Sequence, residues 1–322
     1  MNLHQIRALC AVVHNRFSIS GAATALKRSQ PQLSREIKEL EFELGVRLFS
    51  RTRNKVIALT PQGEEVLQTF QRILSDIKKV HDISAEGAHG GELRIATTHV
   101  HARYSLPKAI SKFIVHFPNV TLTLRQGDPH QCCDLVVNGA SDIGITTVAE
   151  KCSDELIAIP IYKLLRCVIA PKHHEVLSEK PLTIKKLSRY PIVAYSPTFS
   201  GRSIVEEGFA RAGLQPNVVC SAIDADVSKT YVGLGMGIAI LASIAFDQEH
   251  DHNLATVDVN HLFRPGVLNL VLRKHNYLSE RAYSFITMFA PHISRDLITK
   301  ALFGGEIDRV KLSQRAPVAK FH

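Results

Sequence analysis

The segment Ser29-Gln30-Pro31-Gln32-Leu33-Ser34-Arg35-Glu36-Ile37-Lys38 carries side chains suited to a double helix. Gln30, Gln32 and Ser34 offer short polar groups that can bond to base edges, and Arg35 or Lys38 can pair with guanine or phosphate. Ser29 is placed to cap a helix there, and Pro31 fits its first turn, leaving the free N–H groups to face phosphate. Farther along, Arg51, Arg53 and Lys55 alternate with apolar residues around a turn at Arg53-Asn54, a tip suited to a minor groove or to the backbone. A second cluster, Thr97-Thr98-His99-Val100-His101, reads as a strand-to-helix turn. Hydroxyls and the positive end of a helix can hold a small oxyanion there without any cationic side chain. Thr147 after the strand SDIGITT, and Thr198 and Ser200 before a helix near Arg202, offer the same chemistry. These points are expected to converge where strand carboxyl ends meet.

Other chemistry-bearing spacings carry less. His99-x-His101, His173-His174 and His250-Asp251-His252 lack the paired spacing of a closed metal site, so no metal is expected. Gly233-x-Gly235-x-Gly237 follows a helix and precedes a strand, the reverse of a dinucleotide fingerprint, and reads as a tight turn. Ser200 in SGRS lacks the G-x-S-x-G spacing of a nucleophile elbow. No catalytic residue and no cofactor is expected. Vicinal Cys132-Cys133 is too strained for a routine disulfide, and all six cysteines read as reduced thiols.

The elements that position these residues follow from periodicity and caps. Leu3, Ile6, Leu9, Cys10 and Val13 share a helix face; Ser18 caps a second helix, Ile19 to Leu26; a third runs from about Pro31 to Leu44 and stops at Gly45. Its inner stripe is Leu33, Ile37, Leu40, Glu41 and Leu44. Two short helices about a tight turn, then the hairpin VRLFSRTRNKVIALT, make a winged helix-turn-helix over residues 1–60. Thr60 caps a long helix, 61–84, whose seam Val66, Phe70, Ile73, Leu74, Ile77 and Val80 lacks an evident partner in its own module. A matching helix of a second subunit would cover it. The small-residue stretch 85–92 is the hinge. Beyond it strands alternate with helices, which predicts doubly wound parallel sheets in two α/β lobes with a cleft between them. Lobe 1 spans about 93–163 and 267–305, lobe 2 about 164–266, and 306–322 is a mobile tail.

Composition agrees. The chain of 322 residues is 45% hydrophobic and 21% charged, which excludes a disordered or fibrous chain. No run of ~18 apolar residues spans a membrane, and the N-terminus lacks a secretory layout, which points to the cytoplasm. Residues 1–60 hold ten basic and four acidic residues against a whole-chain net charge of +9, so the first module is the one suited to a polyanion.

The stretch FSISGAATALKRSQPQLSREIKELEFELGVRLFSRTRNKVIALTPQGEEVL resembles the winged helix-turn-helix of LysR-type transcriptional regulators over a long gapless span. IATTHVHARYSLP, SGRS, IDADVSKTYVGLG and FAPHISRD are similar to the CysB-like branch, the sulfur-assimilation regulators, so the likeness covers nearly the whole chain. The resemblance implies a homotetramer of dimers paired through the long helix, promoter DNA and RNA polymerase as partners, and a two-lobed receptor of the periplasmic-binding-protein type. It implies an effector such as sulfate, thiosulfate, an acetylserine-like molecule or another small acid. Where the branch reads ATTHTQARY, this chain has Val100 for a hydroxyl and His101 for an amide. That change leaves open a larger or less polar sulfur compound, with a pH-dependent charge on His101. A transport receptor and a cleft enzyme are the competing classes. The helix-turn-helix and the missing export signal oppose the first, and the lack of a nucleophile–base pair opposes the second.

Overall fold

The structure is a computed structural model that describes residues 1–52, 55–85, 90–147 and 153–321. The chain forms two compact units, Met1–Gly87 with Asn138–Ala140, and Ala88–Val137 with Ser141–His322.

In the first unit the helices are α1 (Leu3–His14), α2 (Ile19–Ala25) and α3 (Gln30–Leu44). Ser18 and Ser29 cap α2 and α3 by accepting the N–H groups of Gly21 and Gln32, and Gly45 ends α3 in the left-handed conformation that favours glycine, φ 68°. Leu33, Ile37 and Leu40 are buried against Leu9, Val12 and Ala22, while Leu44 stays exposed. Glu41 is half-buried for a reason: its Oε1 accepts the N–H groups of Leu48 (2.9 Å) and Phe49 (3.2 Å). This fixes where the wing starts. The wing is the antiparallel pair β1 (Phe49–Thr52) and β2 (Lys55–Leu59). Its expected tip, Arg53-Asn54, lies outside the described residues.

Helix α4 (Pro61–Ala85) begins on Thr60, whose Oγ1 donates to the Arg47 carbonyl and accepts the Gly63 N–H (3.0 Å). Its apolar seam is not left wholly to a second subunit. Phe70 is buried in the first unit's own core, with Val66, Ile73 and Leu74 packed beside it, and Val80 is exposed. The close approach of α4 to the wing needs glycine at 63, because a Cβ there would lie 2.1 Å from the Leu48 carbonyl oxygen. Gly63→Ala is expected to lower the first unit's stability by about 1–3 kcal/mol. An unchanged unfolding midpoint would refute the contact.

The second unit has two lobes. Lobe 1 holds β3 (Gly91–Thr97), α5 (Pro107–His116), β4 (Val120–Gln126), α6 (Pro129–Val137), β5 (Ile143–Thr146) and β6 (Leu156–Leu164). Lobe 2 follows with β7 (Arg166–Pro171), α7 (Ile184–Leu187), β8 (Ile192–Tyr195), α8 (Ser200–Arg211), β9 (Val218–Ala222), α9 (Ala225–Gly233), β10 (Ala239–Ala242) and β11 (Leu254–Asp258). The chain then returns to lobe 1 through β12 (Gly266–Arg273), α10 (Glu280–Phe289), α11 (Arg295–Leu302) and α12 (Arg309–Arg315). The sheets are mixed rather than all parallel. In the order β4-β3-β5-β12-β6, β3 runs parallel to β4 and β5, whereas β12 is antiparallel to both β5 and β6. In lobe 2, β7 is antiparallel to β10 and β11. The reason is topological: β6 leads out of lobe 1, through Leu165, and β12 leads back in, so the two run in opposite directions.

Two further expectations are corrected. The described residues after 305 are packed on lobe 1: Lys163 N–H donates to Pro317 O and Ala319 N–H to Lys163 O, which adds the chain to the free edge of β6. Phe321 stacks on Phe289 and meets Tyr162 edge-on. Cys133, buried on α6, is disulfide-bonded, whereas Cys10, Cys132, Cys167 and Cys220 are free thiols. Burial raises the Cys132 and Cys167 thiols to about 12, so they are protonated and inert.

Candidate functional site

The outer face of α3 is the first candidate surface. Gln30, Pro31, Gln32, Arg35 and Lys38 are exposed and Ser34 is half-buried. One acid of α3, Glu36, is neutralised: it accepts from Arg28 Nη1 (2.5 Å) and from Gln32 Nε2 (3.2 Å). Among the described residues Arg35 and Lys38 pair with no carboxylate, so their charge faces outward. On the wing Lys55 is exposed, and Arg51 reaches Glu41 at 3.5 Å.

The second candidate is a cleft between the two lobes of the receptor unit. It brings together Thr98, His99, Val100, His101, Thr147 and Ser200 of the sequence-predicted set. Thr97 and Thr198 stay out of it. Thr97 is fully buried and its Oγ1 donates to Ile145 O (2.7 Å), tying β3 to β5. Thr198 is exposed beside Ser196. The strand's two-residue side-chain period accounts for Thr97 and Thr98 facing opposite ways.

After β3 the chain makes a π-helical turn, His101–Ser105, closed by Leu106 N–H to His101 O (3.0 Å). Such turns recur at functional sites. His101 lies on this turn, buried, with Nδ1 2.9 Å from Ser105 Oγ. Burial first, and then the Arg166 charge, lowers its pKa to about 3. The expected pH-dependent charge on His101 is therefore replaced by a neutral ring across the physiological range.

The opposite wall comes from lobe 2. Helix α8 begins after Phe199, which provides no side-chain cap, so no side chain closes the helix N-terminus. Ser200 Oγ is buried there without a hydrogen-bond partner. Sequence reasoning missed Leu164, Arg166, Tyr195, Phe199, Ile223 and Ala242, which also line the cleft, as does Gly201. Arg166 matters most because it puts a cation where only hydroxyls were expected. One signal was available: a single arginine inside the apolar strand LLRCVIAP.

Beside the cleft a charged latch joins the lobes. Tyr104 of lobe 1 donates to Asp226 Oδ1 (2.5 Å) and accepts from Lys229 Nζ (2.7 Å) and Arg103 Nε (3.1 Å). Lys229, buried on α9, also pairs with Asp251 (2.8 Å), and His99 Nε2 lies 3.0 Å from Asp226. Among the described residues His99, Asp224 and Asp226 bring ligand atoms within 4.8 Å of one another. Asp226 already faces Tyr104, Arg103, Lys229 and His99, so it is the node of an ion-pair network.

Comparison with known proteins places these two surfaces in one family. Residues 3–64 match the family model of bacterial regulatory helix-turn-helix proteins of the lysR family, and residues 86–294 match the LysR substrate binding domain. The HTH-type transcriptional regulator CysB of Burkholderia cenocepacia is 40% identical over 306 residues, covering 94% of this chain and 98% of that protein. The regulator SsuR of the same organism is 40% identical over 296 residues, covering 91% and 96%. The crystal structure of the cofactor-binding domain of the Cbl transcriptional regulator superposes with TM-score 0.64 at 35% identity, covering 66% of this chain and 93% of that one. Full-length CbnR in complex with its target DNA shares the fold, with TM-score 0.66 at 21% identity over 91% of this chain and all of that one. The relatives are regulators rather than enzymes, and with a helix-turn-helix at its head and a two-lobed receptor behind it, this chain belongs to the LysR family of DNA-binding transcriptional regulators.

Proposed function

We propose that this regulator senses a small anionic or sulfur-containing effector in the cleft and controls sulfur-assimilation or related genes, as a CysB-like member of its family. The observation that carries the reading is the start of α8: a helix N-terminus with no side-chain cap and a buried, unpartnered Ser200 hydroxyl, facing a cleft that Thr98 and Thr147 also line. Such a site offers N–H and O–H donors to an oxyanion. Residues 1–60 dock on promoter DNA, with α3 in the major groove and the wing along the backbone or minor groove, so the chain works in the cytoplasm. It assembles as a homotetramer of dimers and contacts RNA polymerase at the promoter. The exposed apolar residues Tyr231, Leu234 and Met236 near the end of α9, and Ile114 and Val115 on α5, support self-association.

The test is an electrophoretic shift on the DNA upstream of the gene, with and without sulfate, thiosulfate and acetylserine, beside thermal shifts for each. Binding is expected to fall steeply with salt, because phosphate neutralisation releases counterions, and at least one acid is expected to alter the shifted species. The absence of DNA binding at low ionic strength would overturn the DNA-docking part, and the absence of stabilisation by any acid the effector part.

A further inference from the structure

Arg166 is 3% exposed at the start of β7, and its guanidinium has no hydrogen bond or ion pair among the described residues. Its Nε is buried without a partner, as is Ser200 Oγ in the same cleft. Room for the planar group is kept by two glycines. A Cβ at Gly201 would lie 3.3 Å from Nη1 and one at Gly266 would lie 3.2 Å from Nη2. A buried charge without a counter-ion is costly to a fold. Here that cost is met at the one place where a ligand can supply the missing charge, and burial lowers the guanidinium's pKa.

The charge balance and the walls limit what the ligand is. Arg166 contributes one positive charge and the neighbouring His101 ring is neutral, so a monoanion balances the site whereas a dianion overshoots it. The lining has a polar side, with Thr98, His99, Thr147 and Ser200, and a largely carbon side: Val100, Leu164, Tyr195, Phe199, Ile223 and Ala242. The Tyr195 and Phe199 rings stack with centroids 5.7 Å apart, and Ile223 is exposed at the rim. An inorganic tetrahedral dianion finds donors only on the polar side and turns its other oxygens toward the apolar walls. An acid group on an apolar body satisfies both halves of the cleft.

We propose that Arg166 is the acid-recognising residue of the cleft and that its ligand is an organic monoacid, a sulfonate or carboxylate carried on an apolar body, taken in preference to inorganic sulfate. This rests on the cleft being the effector site. The guanidinium fork meets two oxygens of the acid group, Ser200 and the α8 N-terminus donate to the same group, and the body lies against Tyr195 and Phe199.

The experiment is calorimetry and thermal shift on the full chain with propanesulfonate, benzenesulfonate, butyrate, benzoate and sulfate at matched ionic strength. At least one organic acid is expected to bind ten-fold or more tightly than sulfate, and the sulfonate and carboxylate arms show which acid group is favoured. Arg166→Met should melt no lower than the parent without ligand, since it removes an unpaired buried charge, and should lose affinity for the acid by about 100-fold. Arg166→Lys keeps the charge without the fork and should lose about ten-fold, which serves as the readout if Arg166→Met does not fold. Sulfate binding more tightly than every organic acid, or acid binding with undiminished affinity at Arg166→Met or Arg166→Lys, overturns the proposal. If those results came with loss of binding at Thr98→Ala and Ser200→Ala, the cleft would remain the effector site and only the role of Arg166 would fall. If no acid binds at all, both readings fall.

Discussion

Lys229→Met is expected to destabilise the receptor unit by roughly 3–5 kcal/mol at neutral pH. The lysine is buried and holds Tyr104, Asp251 and Asp226 together across the two lobes. Removing it leaves two carboxylates facing one another's field without their ammonium, and leaves Tyr104 without its donor from lobe 2. The pH dependence gives a second readout. Burial pushes the Asp226 carboxyl up, but hydrogen bonds from Tyr104 and His99 and the charges of Lys229 and Arg103 outweigh it and hold its pKa below the ordinary value. Its contribution is therefore present above the unfolded carboxylate's pKa and is lost as pH falls through the lower folded one. Burial pushes Lys229 down, but hydrogen bonds to Asp251 and Tyr104 hold its pKa above the ordinary lysine value. Its contribution is complete below the unfolded ammonium's pKa and is lost as pH rises through the folded one. Urea unfolding from acid to alkaline pH should show the variant losing the alkaline limb and destabilising at a higher pH on the acid side. A loss under about 1 kcal/mol, with the profile unchanged, would mean that the network contributes no more than exposed pairs do.

Arg35→Ala is expected to weaken operator binding by about 1–3 kcal/mol, roughly ten- to more than a hundred-fold. Arg35 is exposed on α3 and unpaired among the described residues, so its loss should leave thermal unfolding within about 0.5 kcal/mol of the parent. Fluorescence anisotropy at several salt concentrations separates its two roles. A base reader loses affinity mainly for the correct sequence, and a phosphate contact weakens all sequences alike and lowers the salt slope by about one. Unchanged affinity at physiological salt would refute the docking of α3 in the groove.

The helical module was legible because its signals are local. Ser29, Gly45 and Thr60 each act where they stand, as caps or stops. The sheets were less legible. The run LNLVLRK in β12 announces a strand but not its direction, which is set by where the chain leaves and re-enters lobe 1. In the cleft, Thr98 and Ser200 were readable because a strand-to-helix turn is a sequence pattern. Arg166, Tyr195 and Ala242 were not, since each lies in or at the end of a strand whose neighbours are apolar, and only the tertiary path brings them together. The disulfide at Cys133 was equally hidden, because pairing depends on the fold and not on spacing.

Two stretches of backbone carry the chain between the lobes: Leu165 alone on the way out, and residues 259–265 on the way back. Any swing of one lobe against the other turns about these two points, and displacement grows with distance from them. Arg166 stands one residue from the first, at the fulcrum, where a ligand held by the proposed contact would travel little itself. A small adjustment of the two lobes around a bound acid is therefore magnified toward the ends of each lobe farthest from Leu165 and 259–265.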